Sequence, residues 1–114
     1  MGSYMYVYKG DDKTWTLNIK NSSGSAVDIT GWTIFFTAKT NKTDTDDNAI
    51  IKKEVSTHTN PTQGISSLTL TNSDTNVTAK TYWYDIQAVD GSNNVHTFGV
   101  GQFEVKQDVT TRVS

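Results

Sequence analysis

The chain contains no cysteine, a single proline and no apolar run that approaches the length of a membrane span. The absence of cysteine excludes disulfides, thiolate nucleophiles and thiolate metal sites. No stretch near the start has the apolar core of a signal peptide. The net charge of −2 gives no electrostatic reason to expect binding to nucleic acid or to an anionic membrane. We therefore predict neither as a partner.

Threonine, serine, asparagine and aspartate are abundant, whereas glutamate and alanine are scarce. Threonine favours strands, and asparagine, aspartate and serine favour turns. The hydrophobic content of 34% is low for a helical bundle but sufficient for sheets with one face in water. A chain of 114 residues suits one domain, which we place at residues 4–112. Residues 1–3 are interpreted as a remnant of an expression tag.

Hydrophobic and polar residues alternate in several short segments, most clearly at residues 14–20. Further strands are predicted at residues 4–8, 32–39, 50–55, 65–70, 82–89 and 95–106. The strand at residues 50–55 is expected at a sheet edge, because its charged side chains discourage pairing with a further strand. The pattern predicts an all-β fold, an immunoglobulin-like antiparallel β-sandwich of seven to eight strands. Period-two phase assigns ten residues to the core: Trp15, Leu17, Ile19, Ile34, Phe36, Leu68, Leu70, Tyr84, Ile86 and Phe103.

The segment from residue 71 to residue 80 has the pattern of a single helical turn. Asn72 or Ser73 would cap the turn, Asp74 would lie at its positive end, and Val77 would pack beneath it. Tyr82 follows this turn at the start of a strand, which is similar to the position of the tyrosine corner in sandwich folds.

The last strand changes phase along its length. Phe98 and Val100 are even-numbered, whereas Phe103 and Val105 are odd-numbered. Two consecutive residues of a strand point to opposite faces, so a regular strand cannot bury all four. We expect a β-bulge near the intervening glycines that returns these side chains to the inward face.

Few residues offer catalytic or metal-binding chemistry. The acidic loop with Asp44, Asp46 and Asp47 has carboxylates that Ca²⁺ could use, but it lacks the glycine and the distal glutamate of an EF-hand loop. His58 and His96 each lack a neighbouring ligand for zinc. No nucleophile elbow and no phosphate-binding glycine loop occur. We predict a protein that is not an enzyme and that needs no metal and no cofactor.

Aromatic residues are the most informative about binding. Trp15 and Trp32 share faces with aliphatic residues and are assigned to the core. Trp83 and Phe35 instead lie on the polar faces of their strands, and an immunoglobulin-like topology would make those strands neighbours. Phe35 and Trp83 are therefore our predicted partner-binding residues. The alternative is that a loop or the tyrosine-rich N-terminal strand covers both.

Short motifs along the chain resemble those of a known family. They are V-D-I-T-G-W at residues 27–32, L-T-L-T-N-S-D-T at 68–75, Y-W-Y-D-I at 82–86, G-Q-F-E-V at 101–105 and D-V-T-T-R at 108–112. This order is similar to that of small immunoglobulin-like modules of tailed-phage virions, especially the N-terminal domain of phage baseplate upper proteins. The resemblance implies a sandwich that anchors a receptor-binding apparatus to the tail, with the last motif leading into a longer helical or fibrous region.

Together these observations predict a non-enzymatic phage or prophage structural protein, a baseplate or tail module that docks other virion proteins or further copies of itself. It would fold in the host cytoplasm and reside in the virion. A carbohydrate-binding β-sandwich module is the alternative, because exposed aromatic rings with neighbouring Asp, Asn or Gln also form sugar sites. An adhesin repeat is disfavoured, since the sequence shows neither a secretion signal nor a second repeat.

Overall fold

A computed structural model describes residues 2–41 and 49–107. Seven strands are found in these ranges, and a short 3₁₀ turn at Pro61–Gln63 precedes the fifth. The strands are β1 Gly2–Tyr8, β2 Lys13–Asn18, β3 Thr33–Lys39, β4 Ile51–Val55, β5 Ile65–Leu70, β6 Thr81–Val89 and β7 Val95–Lys106. The predicted all-β class is confirmed, and β1 begins two residues earlier than expected.

The strands form two sheets. Five of them are arranged in the order β1-β7-β6-β3-β4, and β2 pairs with β5 in a second sheet. Strand β4 lies at an edge, as predicted. The expectation of antiparallel pairing throughout is wrong, because β1 runs parallel to β7 from Gly2 beside Val100 to Tyr8 beside Lys106. Strands far apart in the sequence need no hairpin between them, so alternation within each strand carries no information about their relative direction.

One hydrophobic core lies between the two sheets. Phe36 is at its centre, with its ring centroid 5.7 Å from that of Tyr84 and 5.5 Å from that of Phe103. Eight of the ten predicted core residues are buried. The other two, Trp15 and Leu17, are only half-buried but pack against the core. Both lie on β2, an edge strand of a sheet of only two strands, so their side chains are covered from fewer directions.

The turn between β5 and β6 forms a single hydrogen-bonded turn in which the Thr75 amide donates to the Thr71 carbonyl over 3.1 Å. The predicted caps, Asn72 and Ser73, are wrong. Thr71 is the cap: its amide donates to Asp74 Oδ2 at 2.8 Å, and its own Oγ1 accepts from the Asp74 amide at 3.4 Å. Aspartate reaches back to the capping residue as glutamate does in a capping box.

Val77 is half-buried and packs against the core, and Thr75, which was not predicted, is fully buried beneath the turn. The Thr75 hydroxyl donates to the Asp11 carbonyl at 2.8 Å and accepts from the Gly10 amide at 3.1 Å. A buried hydroxyl is stable only when it is hydrogen-bonded, and here both partners belong to the β1–β2 turn. Lys53 on β4 adds an ion pair to Asp74 at 3.0 Å. The L-T-N-S-D-T segment at residues 70–75 therefore joins the β1–β2 turn, strand β4 and the β5–β6 turn at one end of the molecule.

Tyr82 forms the tyrosine corner that its position predicted. Its ring is buried, and its hydroxyl donates to the Thr78 carbonyl four residues earlier at 2.6 Å. Burial raises the pKa of the phenol, so the hydroxyl stays protonated and continues to donate. The contact fixes the path of the chain as it enters β6.

The V-D-I-T-G-W motif is a tight turn before β3. Asp28 Oδ1 accepts from both the hydroxyl and the amide of Thr30, which lowers the pKa of Asp28. The Trp32 amide donates to the Ile29 carbonyl, and Ile29 itself is fully buried. Gly31 takes a φ of 81°, a left-handed conformation that disfavours other residues. The motif thus anchors the β2–β3 connection in the core.

The expected β-bulge is present in β7. The pairing register shifts between Ile86, which pairs with Gly99, and Gln87, which pairs with Thr97, so Phe98 is the extra residue. The expectation that Phe98 and Val100 return to the core is wrong: they are 39% and 43% exposed. After the bulge, the odd-numbered residues of β7 face inward, so Phe103 and Val105 are buried. Val100 is even-numbered and therefore lies on the outer face.

We expect Phe36→Ala to lower the free energy of unfolding by about 3–5 kcal/mol, because it leaves a cavity between the sheets. Urea denaturation measures the change. Phe35→Ala is the matched control, since the neighbouring Phe35 lies on the opposite face and is only half-buried. Equal losses in the two variants would contradict the assignment of faces.

Gly64→Ala should be severely destabilising. Gly64 has a φ of 72°, and a Cβ there would lie 2.5 Å from the Ile19 carbonyl oxygen and 2.7 Å from that of Val27. These are backbone atoms, and the Gly64 carbonyl accepts from the Ile19 amide, so neither segment can move without losing pairing. Thermal unfolding by circular dichroism tests this. Gly24→Ala is the control, because Gly24 has a similar φ of 84° but open space around it. The expectation fails if both variants melt alike.

Candidate functional site

The outer face of the five-stranded sheet carries the residues predicted to bind a partner. Burial alternates strictly along β3 and β6, with even-numbered residues buried and odd-numbered ones partly accessible. We call the surface formed by these odd-numbered residues and their cross-strand neighbours the outer face. Both Phe35 and Trp83 lie on it, on strands that are hydrogen-bonded neighbours, as predicted.

Phe35 and Trp83 do not form an adjacent pair. Phe35 lies opposite Gln87, whereas Trp83 lies opposite Lys39 and Gln102. Four residues of β6 separate the two positions, which corresponds to roughly 13 Å along the strand. Both side chains are half-buried, so each shows part of its surface. The outer face therefore has two separate aromatic positions.

Strand β1 widens the outer face. It lies beside β7 at the edge of the same sheet. Val7 is buried on the inner side, and Tyr6 and Tyr8 are 39% and 41% exposed on the other. The Lys13 and Lys106 Nζ atoms lie 4.2 Å and 4.5 Å from the Tyr6 ring centroid. These cation–π contacts give this edge of the face an aromatic and basic character.

A depression of about 160 Å³ lies beside Trp83. Its other outer-face walls are Thr37, Lys39, Asp85 and Val100, contributed by three adjacent strands. An indole ring and an exposed valine provide apolar surface, and a lysine and an aspartate provide opposite charges. A recess of this size and composition can receive one side chain of a partner protein.

A second aromatic group lies near the β6–β7 hairpin. The Trp32 and His96 rings are stacked with centroids 4.8 Å apart and planes at 7°. The Phe98 ring lies 6.3 Å from Trp32 and 6.2 Å from His96, with interplanar angles of 22° and 19°. We call these three rings the ring stack. Trp32 does pack against the core but is only half-buried, so its assignment as a core residue was incomplete.

Sequence reasoning missed the ring stack because Phe98 is the bulged residue. The phase change among Phe98, Gly99 and Gly101 signalled a bulge but not which residue would remain outside the regular pairing. His96 lies opposite Ala88, a buried residue of the inner face, and therefore points towards Trp32 on the same side of the sheet.

Asp90 holds the hairpin loop and His96 together. Its Oδ1 accepts from the Ser92 amide at 2.8 Å and from the Asn94 amide at 2.9 Å. Its Oδ2 lies 3.1 Å from His96 Nε2 and 3.3 Å from Asn94 Nδ2. The contact with His96, followed by the Asn94 amide, lowers the pKa of Asp90 from 3.8 to about 2. The loop is thereby closed around an ionised carboxylate.

His58 has a structural environment. Its Nε2 lies 2.8 Å from the Trp32 carbonyl oxygen, and its Nδ1 lies 2.9 Å from Oγ of the fully buried Ser66. A carbonyl only accepts, so Nε2 carries the proton. Both ring nitrogens are used in holding the connection before β5 against the start of β3. His58 is thus occupied by fold contacts.

Within residues 2–41 and 49–107, no three His, Cys, Asp or Glu side chains come close enough to hold a metal ion. Asp44, Asp46 and Asp47 lie outside the described residues, as do residues 108–112 of the exit motif. A helix of the length and apolarity needed to cross a membrane is also absent from the described part of the chain.

Comparison with known proteins identifies the family to which this chain is similar. The family model of the BppU N-terminal domain, where BppU denotes a baseplate upper protein of phages, matches residues 3–108. A search of curated proteins found no match. The matched region contains both the outer face and the ring stack.

His96→Ala should raise the pKa of Asp90 above about 2 towards its ordinary value, because the largest cause of the depression is lost. It should remain below 3.8, since the Asn94 and Ser92 amides still donate. A carboxylate with a depressed pKa stabilises the fold above its ordinary pKa, and that contribution disappears as the pH falls through the folded value. Carbon-detected NMR titration of the Asp90 carboxyl measures both midpoints. Identical midpoints in the wild type and the variant would contradict the Asp90–His96 contact.

Proposed function

Because this chain belongs to the family of BppU N-terminal domains, we propose that it is a baseplate assembly module that docks another virion protein through its outer face. Membership of a baseplate domain family makes it a phage structural protein related to the baseplate. Such a protein interacts with other structural proteins of the phage.

The observation that carries the proposal is the depression beside Trp83. Interfaces bury aromatic residues in their central part, and tryptophan is among the residues whose truncation costs most binding energy. Trp83 already forms one wall of a recess, and Val100 beside it is 43% exposed. A partner side chain inserted there would bury the indole edge and the valine together. Phe35, on the same face, extends the apolar contact area.

Charge would orient the partner. Lys39 and Asp85 lie on adjacent strands at the rim of the recess, and the pair Lys13 and Lys106 flanks Tyr6 at the β1 edge. Complementary charges across an interface mainly set orientation and association rate. A partner that places an acidic group towards the β1 edge fits this arrangement best. The preferred occupant is a different virion protein, because a second copy that docked with the two β1 edges together would bring their lysines into proximity.

We further propose that the fold is an immunoglobulin-like sandwich. The tyrosine corner at Tyr82, the two sheets around one core and the pairing of β1 alongside the last strand all favour this classification. The proposed role is non-enzymatic. Among the described hydrogen bonds, His96 contacts the Asp90 carboxylate and His58 contacts the hydroxyl of the fully buried Ser66, so neither histidine joins a carboxylate to an accessible hydroxyl.

We expect Trp83→Ala to lower incorporation of the protein into phage particles by about 30-fold or more, equivalent to about 2 kcal/mol of lost binding energy. Its free energy of unfolding should change by less than about 1 kcal/mol, because the side chain is only half-buried and on the outer face. Quantitative mass spectrometry of purified particles measures incorporation, and urea denaturation of the isolated chain measures stability.

Phe98→Ala is the matched control, since Phe98 is a partly exposed aromatic outside the Trp83 recess and should leave incorporation unchanged. Normal incorporation of Trp83→Ala would rule out the recess as the docking surface. A collapse of its stability would mean that Trp83 serves the fold.

A further inference from the structure

The ring stack has the composition of a small-ligand site. Trp32, His96 and Phe98 present three rings within 22° of parallel, and their centroids are separated by 4.8–6.3 Å. The His96 side chain is 40% exposed and Phe98 is 39% exposed. Soluble domains usually bury large aromatic side chains or use them for binding. Only part of this aromatic surface is used in the core.

His96 contributes an oriented polar atom. Asp90 is a carboxylate and can only accept, so His96 Nε2 carries the proton that it donates across 3.1 Å. In neutral His96 the other nitrogen, Nδ1, is then a hydrogen-bond acceptor. Nδ1 has no hydrogen-bond partner among the described residues. The carboxylate fixes both the tautomer and the ring orientation of His96 through this hydrogen bond.

Asp90 itself is not available to a ligand. Its two oxygens already accept from Ser92, from Asn94 twice and from His96, which uses the four acceptor positions of a carboxylate. The site therefore offers aromatic ring surface with a single aimed acceptor. It does not offer an accessible acidic pair, and among the described residues no three His, Cys, Asp or Glu side chains lie together to hold a metal ion.

This combination matches one chemical class of ligand. The C–H groups of a pyranose ring carry a slight positive charge and pack on the negative face of an aromatic ring. A hydroxyl at the edge of the same sugar can donate to His96 Nδ1. A phosphorylated ligand is disfavoured by the neighbouring Asp90 carboxylate, and a quaternary ammonium would require rings that enclose it, whereas these three are nearly parallel.

We infer that the ring stack binds a neutral hexopyranose by stacking on the exposed ring of Phe98 and by a hydrogen bond to His96 Nδ1. The site is separate from the docking surface. His96 lies beside Ala88 on the inner face of the sheet, five residues along β6 from Trp83 on the outer face. That separation is roughly 16 Å along the strand. A module held in a particle by its outer face would thus keep the ring stack accessible.

Two-dimensional NMR of the full chain tests the inference with glucose, galactose and N-acetylglucosamine, each titrated separately. At least one sugar should shift the Trp32 indole and His96 ring resonances in a saturable manner with a Kd of about 1–10 mM. Phe98→Leu should weaken that binding by about tenfold or more, because leucine keeps the apolar volume without a ring face. Phe98→Tyr should retain it, and Trp83→Ala should have no effect.

The inference is overturned if none of the three sugars shifts these resonances at about ten times the expected Kd. It is equally overturned if Phe98→Leu binds as well as the wild type, or if tetramethylammonium chloride saturates the site in place of the sugars. Dissociation of a dimer by Phe98→Leu, measured by sedimentation, would identify the stack as a contact between copies and would also contradict it. None of these results bears on docking through Trp83, which particle incorporation tests independently.

Discussion

The burial of every second side chain of β3 and β6 against the small β2–β5 sheet is the constraint on which the rest of the structure depends. Phe36, Tyr84 and Phe103 fill the space between the sheets. A shift of one residue in either strand would expose them, so the register is strongly fixed. The same constraint places Phe35 and Trp83 on the opposite surface. The candidate docking face is thus a direct consequence of how the core is packed.

Alternation within strands was sufficient to predict eight buried core residues and to place Phe35 and Trp83 on the outer face. It could not predict relations between distant segments. The parallel pairing of β1 with β7 and the offset between Phe35 and Trp83 depend on inter-strand register, which is set by contacts far apart in the sequence. The bulge at Phe98 was foreseen only in part, because two glycines allow several positions for the extra residue. The ring stack follows from that one residue and was therefore missed.

The motifs by which the chain resembles its family have structural roles in this molecule. Thr75 and Asp74 join the turns at one end, Tyr82 fixes the entry to β6, and Asp28 forms the turn that buries Ile29. Motifs of this kind identify a fold more directly than a binding surface. Trp83 lies within one of them, between two buried tyrosines, and is the member whose side chain the core does not require.

Hydroxyl-radical footprinting of the free chain and of assembled phage particles tests docking through the outer face most directly. Oxidation of each aromatic side chain reports its exposure in the two states. The account predicts that oxidation of Trp83 falls on assembly, whereas oxidation of Phe98 in the ring stack stays the same. Equal oxidation of Trp83 in free and assembled protein, with protection of Phe98, would contradict it.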